Sequence, residues 1–535
     1  MKKNRPIYTL DIETDPFQHG RDPHPFCCGL YTGDDWKWTW GDDCIAQMKR
    51  VVMTLPPAII YAHNGGKFDF YFMMDWLANH KEMLIINGRI VKAEMVSDTD
   101  ETKHELRDSY AIMPFALKQY KKDRVDYACF EKEYREAHKR EILRYLKNDC
   151  VYLHELCVDF RDRFGDNLTI ASTAMKQFKK LYTFEHLSSR EDEMIRAPFY
   201  YGGRVQCFEK GIIKPSSGAS IIAYDLNQCY PYSMKYFNHP ISQQDSRVTS
   251  EITERTFFLT VEGRNYGAFP VRRKDGLHFD VERGTFSVSI HEYIAATETG
   301  VFECDDVLQC YNFQQWSTFD KFVDKFHALR REAQLKKDDI GALFYKTVGN
   351  SCYGKFAQRP DEYFNYMLTD DETNLNPKWE PDGWMPCALI EFAGYVMWKQ
   401  PSHSSYYYNV ATGASITGAA RSLLIRALAK AKRPLYCDTD SIICEGLTDV
   451  PIDPIKIGHW KIESEGDKLA LAGRKLYALF DGKKCLKMAS KGVHLTSDEI
   501  LHVARGHKVT WKKDAPTFNF QTHSASYITR TIKMT

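Results

Sequence analysis

The chain has 535 residues, of which 43% are apolar, 27% charged and 13% aromatic. That length and composition exclude a single small domain and a disordered chain, and they predict roughly three or four globular domains. The 72 Lys and Arg nearly cancel the 71 Asp and Glu, so any hold on a polyanion must come from uneven placement of charge rather than from net charge.

At the N-terminus, Met1-Lys2-Lys3-Asn4-Arg5 passes directly into a strand-like segment without a secretory-type apolar stretch. No run approaches the roughly 20 apolar residues of a membrane span, so no membrane role is expected. The 15 cysteines form no Cys-x-x-Cys pair, which predicts reduced core thiols rather than a zinc site and fits a cytoplasmic protein.

Residues 5 to 70 alternate short apolar runs with Gly, Asp and Pro clusters, the pattern of strands and turns. In Ile7 to Thr14, period-2 alternation places Tyr8, Leu10 and Ile12 on one face and Asp11 with Glu13 on the other. Such a pair alone is commonly a solvated strand end. Buried, it needs neutralising, and a divalent cation is the usual means. Downstream, Tyr61-Ala62-His63-Asn64-Gly65-Gly66-Lys67-Phe68-Asp69 ends an apolar strand in a Gly-rich turn that delivers another carboxylate. A helix is predicted from about Ala137 to Phe164, where Ile142, Leu146, Cys150, Leu153 and Cys157 recur at helical spacing. Tyr145 and Asp149 lie one turn apart beside that stripe. An α/β first domain therefore closes near residue 170, with Asp11, Glu13, Asp69 and Asp149 available to hold two metal ions for phosphodiester hydrolysis.

Farther along, strand-like Ala219 to Asp225 ends in a carboxylate, with Tyr230 five residues later. A β-rich stretch covers roughly 240 to 315, and helices are expected at 318 to 336 and 339 to 357. Within the second, Lys346, Asn350 and Tyr353 stand at i, i+4 and i+7 and are expected on one face. That is either a snorkelling lysine beside a core aromatic or a nucleotide platform. From 360 to 404 the composition shifts to Asp, Pro, Asn, Gly and Trp, suggesting an insertion outside the main core. Helical character returns at 411 to 431. Tyr436-Cys437-Asp438-Thr439-Asp440-Ser441 then reads as a hairpin turn presenting two carboxylates between apolar runs.

Taken in order, these segments resemble the three exonuclease motifs and motifs A, B and C of family B DNA polymerases. The resemblance covers about residues 7 to 530 and implies α/β and α+β multidomain architecture. It divides the chain into a ribonuclease H-like 3′→5′ exonuclease domain (1–185), a palm in two parts (186–240 and 409–490), fingers (318–358) and a thumb (491–535). Two insertions (241–317 and 359–408) resemble those of the protein-primed, tectivirus-type phage branch. There one insertion contacts a terminal protein and duplex DNA, and the other aids processivity and strand displacement.

The resemblance implies template-directed DNA synthesis with proofreading from a terminal-protein primer on a linear phage-type genome. It also implies two Mg²⁺ ions in each active site, with Mn²⁺ as a substitute, and a monomer or a heterodimer with the terminal protein. In the polymerase centre Asp225 and Asp440 become the main metal ligands, Leu226 lends a carbonyl, and Asp438 is a weaker participant. Tyr230 excludes the 2′ hydroxyl, and Lys346, Asn350, Tyr353 and Arg330 (with Arg331) meet the nucleotide. In the nuclease centre Tyr145 orients the attacking water, and Thr14, Asn64 and Phe68 hold the frayed end. Ser109, Tyr110 and Lys122 match further end contacts and a catalytic lysine, though Lys122 also reads as a plain surface lysine.

Tyr200-Tyr201-Gly202-Gly203 matches the Tyr-x-Gly-Gly linker that contacts template, or a plain turn. Thr417 and Arg421 match a template-contacting helix, and Lys475 and Tyr477 match a Lys-x-Tyr primer motif. Lys487 and Lys491 read either as phosphate contacts or as solvated strand lysines. Motif A departs from Asp-x-x-Ser-Leu-Tyr-Pro, having Gln228 and Cys229 where Ser and Leu are common. Two alternatives stay open: a polymerase that starts chains without a protein primer, and a non-catalytic DNA-binding replication scaffold.

Overall fold

The computed structural model describes residues 5–78, 81–96, 102–121, 123–274, 276–359, 363–369, 383–390, 395–401, 408–519 and 524–535. Strand Ile7–Thr14 lies within a ten-stranded mixed sheet. It pairs in parallel with Ile59–Ala62 and antiparallel with Pro25–Tyr31, and Ile59–Ala62 pairs in parallel with Thr102–Asp108. The alternation holds: Tyr8, Leu10 and Ile12 enter one apolar core with Met48 and Trp76, while Ile7 joins another on the opposite side.

Helix Lys139–Phe164 buries Ile142, Leu146, Cys150, Leu153 and Cys157, as its periodicity requires, together with Tyr145 and Asp149. Two features hold it against the sheet. Thr9 Oγ1 donates to the Cys150 carbonyl at 2.7 Å. A Cβ at Gly29 would overlap Trp36 and crowd Leu146, so the helix approaches the sheet more closely than any side chain there allows. The register of Asp149 against Asp11 is thereby fixed.

The segment expected to stand outside the main core instead extends this sheet. Phe364–Thr369 pairs with Glu82–Ile86 and with Tyr395–Pro401, which pairs in turn with Met385–Ile390. Tyr366, Leu368 and Met397 are buried in the same core as Leu10. Averaged composition across 360 to 404 hid three short strands made largely of consecutive apolar residues.

A second, five-stranded sheet sets Ile221–Leu226 between Trp460–Gly466 and Ser441–Leu447, with Ala431–Asp438 and Val205–Cys207 beyond. Helix Val410–Ala429, rich in Ala, Gly, Ser and Thr, is buried almost all round and touches helices Ser189–Phe199, Cys229–Tyr236 and Ile290–Glu298. Small side chains permit that crowding. Helix Ile290–Glu298 interrupts the stretch expected to be β. It begins at a reciprocal capping box between Ser289 and Glu292, a Ser-x-x-Glu signature legible in the sequence. Helices Asp320–Leu335 and Asp339–Asn350 follow. The second ends earlier than expected, and Tyr353–Ala357 is a 3₁₀ turn. Among the described residues no helix is long and apolar enough to cross a membrane.

Candidate active sites

Asp11, Glu13, Asp69 and Asp149 line one cavity of about 940 Å³, together with Thr14, Asn64, Phe68, Tyr110 and Tyr145. Asp69 arrives there because Asn64 turns left-handed at φ +64° and Gly66 lets the turn lie against the Ile90 carbonyl, where a Cβ would collide. Asp69 is 3% exposed and its Oδ1 has no hydrogen-bond partner. Burial raises its pKa, and the charge of Asp108 adds to the rise. Tyr145 is 4% exposed. Its hydroxyl lies 3.2 Å from that of Tyr127, and burial, then Asp149, push its ionisation up. It is therefore a neutral hydroxyl at the carboxylates.

Sequence reasoning missed the support of this cavity. Asp108, 1% exposed, pairs with Arg89 and accepts from the Gly66 amide at 3.1 Å, while Arg89 Nη2 donates to Asn64 Oδ1 at 2.9 Å. Arg89 also lies over the Tyr110 ring. Phe518 from the C-terminal region closes on Phe68, Tyr71 and Phe72 and lines the same cavity. The expected contact Ser109 is fully buried and hydrogen-bonded to His63 and the Ala62 carbonyl, so it supports the cavity and has no surface for a ligand. Lys122 lies outside the described residues.

The second centre forms where motif A meets the hairpin. Asp225 is in register with Ser441, and the Leu226 amide donates to the Asp440 carbonyl at 2.7 Å. Thr439 makes the turn possible at φ +57°. Burial and then the neighbouring Asp225 charge raise Asp440 to about 6. Lys461, unremarked in the sequence, pairs with Asp225 at 2.9 Å. Asp438 is paired with Lys475 and accepts from the Tyr436 hydroxyl, which accounts for a secondary role.

Gln228, at φ +52°, caps the strand-to-helix turn after Asp225, and Cys229 is buried where the usual leucine would be. Gln228, Arg330, Lys346 and Asn350 line one small pocket. Tyr353 is not on that helical face, because the helix ends at Asn350. It reaches the centre from the 3₁₀ turn by stacking on Tyr230. Arg331 is exposed on the preceding helix.

Other expected DNA contacts are buried. Thr417 and Arg421 are each 3% exposed. The Thr417 hydroxyl donates to Ala414, and Arg421 is held by Glu292 and the Tyr201 and Gly202 carbonyls. Both side chains lie on the small-residue helix and are enclosed by the elements packed around it, so in this structure they act as internal support. Tyr477 is also buried, in an apolar core beside Tyr436. Tyr200 is half-buried, Gly202 and Lys491 are exposed, and Lys487 pairs with Glu463.

Both centres fit divalent cations. In the first, the buried Asp69 Oδ1 lacks a hydrogen-bond donor; in the second, the charges of Asp225 and Asp438 crowd Asp440, while Lys461 pairs with Asp225 and Lys475 with Asp438. Hard oxygen ligands of this kind suit Mg²⁺-class ions.

The chain matches the family model described as DNA polymerase type B, organellar and viral, over residues 118–383. It is 43% identical to a DNA-directed DNA polymerase of Enterobacteria phage PRD1, over 99% of this chain and 98% of that one. It is 25% identical to the DNA polymerase of Bacillus phage phi29, over 78% of this chain and 77% of the other. The solved structure of phi29 DNA polymerase complexed with primer-template DNA superposes with a TM-score of 0.74 at 18% identity, covering 99% of this chain and 100% of that one. The α/β multidomain fold class is shared.

Proposed function

The chain belongs to the type B DNA polymerases and is a DNA-directed DNA polymerase, and from that premise we propose a division of labour between its two carboxylate centres. Asp225 and Asp440 carry nucleotidyl transfer. Asp11, Glu13, Asp69 and Asp149 carry 3′→5′ editing. The observation that carries this reading is that carboxylates more than two hundred residues apart in sequence meet at adjacent strands, while four others converge on a separate cavity.

Members of this family depend on divalent metal ions; here Mg²⁺ would be held by Asp225, Asp440 and the Leu226 carbonyl in one centre and by the four carboxylates in the other. Bound there, such ions activate an oxygen nucleophile and stabilise the leaving oxygen. The chain's own residues do the rest. Lys346, Asn350 and Arg330 line a pocket beside motif A where a triphosphate would be gripped. The stacked Tyr230 and Tyr353 form the floor for base and sugar. In the editing cavity Tyr145 positions water, and Thr14, Asn64 and Phe68 receive a frayed 3′ end. Tyr200 to Gly203 and Lys475 border the duplex. The domain limits implied by the resemblance, the two insertions included, belong to this reading.

Asp440→Ala is expected to abolish primer extension while leaving degradation of single strands, and Asp11→Ala with Glu13→Ala to do the reverse. Loss of both activities in both variants would refute two independent centres. For initiation we take a terminal protein as primer in the host cytoplasm, with primer-template DNA and deoxynucleotides as further partners. Incubation with a labelled deoxynucleotide and the candidate terminal protein should yield a covalent protein-nucleotide adduct. Products bearing a free 5′ triphosphate, made without such a protein, would favour primer-independent initiation.

A further inference from the structure

Three consecutive backbone carbonyls, at Tyr200, Tyr201 and Gly202, are held from the neighbouring insertion and its contacts. Arg272 Nη2 donates to the first at 2.6 Å, and Arg421 Nη1 donates to the second and third at 2.6 and 2.9 Å. Arg421 is itself gripped by Glu292, with Nε to Oε1 at 2.6 Å and Nη2 to Oε2 at 2.9 Å. Glu292 is 1% exposed, and its Oε2 also accepts from the Ser289 hydroxyl at 2.7 Å. Gly418 allows the two helices to meet, since a Cβ there would overlap Ser289.

The held segment runs straight to the catalytic turn. A Cβ at Gly203 would overlap Thr439, and the Thr439 amide donates to the Arg204 carbonyl at 2.7 Å. Thr439 stands between Asp438 and Asp440 at φ +57°. The buried Tyr201 carbonyl needs a donor, and the guanidinium fork supplies one to it and to the adjacent Gly202 carbonyl in fixed geometry. Its charge then requires a buried carboxylate.

We propose that Glu292 is a positioning residue for nucleotidyl transfer, acting through Arg421 on residues 201–203, which brace the Asp438–Asp440 turn. The inference rests on the assignment of polymerisation to Asp225 and Asp440. Without the carboxylate, the fork turns to other acceptors, residues 201–203 loosen, and Asp440 is no longer held against Asp225.

Steady-state primer extension with the full-length chain tests this. Glu292→Gln is expected to lower kcat about tenfold, equivalent to one hydrogen-bond-sized loss of transition-state stabilisation, with the deoxynucleotide KM changed less than about twofold. Degradation of a single-stranded oligonucleotide by the same preparation should persist, and Glu292→Asp should recover part of the extension rate. Arg421→Gln should act similarly, and the double variant Glu292→Gln/Arg421→Gln should be no slower than the slower single, because the two act in series. Wild-type kcat in Glu292→Gln, losses that multiply in the double variant, or a parallel fall of extension, degradation and melting temperature would each overturn the proposal. Asp440→Ala is assayed alongside: if it extends primers normally, the site assignment itself has failed.

Discussion

Tyr230 and Tyr353 stack face to face, with ring centroids 3.9 Å apart and planes 11° from parallel. One follows the strand of Asp225 and the other the helix of Lys346, so the stack joins the carboxylate floor to the pocket proposed for the triphosphate. Removing either ring should act on the nucleotide rather than on the metals. Tyr230→Ala is expected to raise ribonucleotide incorporation relative to deoxynucleotide by on the order of 10²-fold, since a lost steric contact of a few kcal/mol is of that size. Tyr353→Ala should chiefly raise the deoxynucleotide KM. Single-nucleotide insertion kinetics with both sugars measure each effect, and unchanged sugar discrimination in Tyr230→Ala would refute its role.

The elevated Asp440 makes a signed prediction. A carboxyl raised to about 6 in the folded chain holds its proton longer than in the unfolded chain. In the absence of metal, Asp440's contribution to stability is therefore fully present below the ordinary aspartate range and is lost as pH rises through about 6. Asp440→Asn should thus be more stable than wild type at pH 7.5 in a chelator, by on the order of 2–3 kcal/mol at about 1.4 kcal/mol per pKa unit. The difference should vanish near pH 4. Adding Mg²⁺ should raise the wild-type melting temperature more than the variant's, which keeps the other carboxylate cavity but lacks one ligand of this one. Thermal melts across pH, with and without the ion, provide the check.

Gly203 and Thr439 form a reciprocal fit. Gly203→Ala forces its new methyl into Thr439, which should displace the turn and cut extension by roughly tenfold or more, at about 1–3 kcal/mol for overpacking. Thr439→Gly suits the left-handed backbone and removes the obstacle. The double variant should therefore extend primers faster than Gly203→Ala alone. Extension assays on the three variants decide it, with single-strand degradation as the unaffected control.

In the cavity proposed for editing, Arg89 neutralises Asp108 and orients Asn64. Arg89→Ala leaves a buried carboxylate without its cation, a change typically worth about 3–5 kcal/mol. Single-strand degradation should fall at least tenfold while extension persists. Arg89→Lys should recover little, because an ammonium cannot reach both partners as the fork does. Gel-resolved degradation of a labelled oligonucleotide reads out both variants.

Much was legible in the chain itself. Strand alternation at Ile7–Thr14, the helical stripe through Cys150, and the acidic turn at Asp438–Asp440 are local patterns, set by backbone periodicity and turn chemistry within a few residues. They named the carboxylates that line the cavity and the hairpin, and the resemblance of their order to the motifs of family B DNA polymerases pointed to a DNA polymerase. Tertiary structure decided what those patterns could not encode. It placed Phe364–Thr369 on the N-terminal sheet beside residues 82–86, with Tyr395–Pro401 and Met385–Ile390 following outward. It ended the helix at Asn350 and delivered Tyr353 from the following turn. It also enclosed Arg421, whose sequence context reads as a surface contact, between Glu292 and the carbonyls of residues 201 and 202. Burial depends on which distant segments close over a side chain, and no local spacing carries that information. A guanidinium serves equally for a phosphate outside or for two carbonyls and a carboxylate inside.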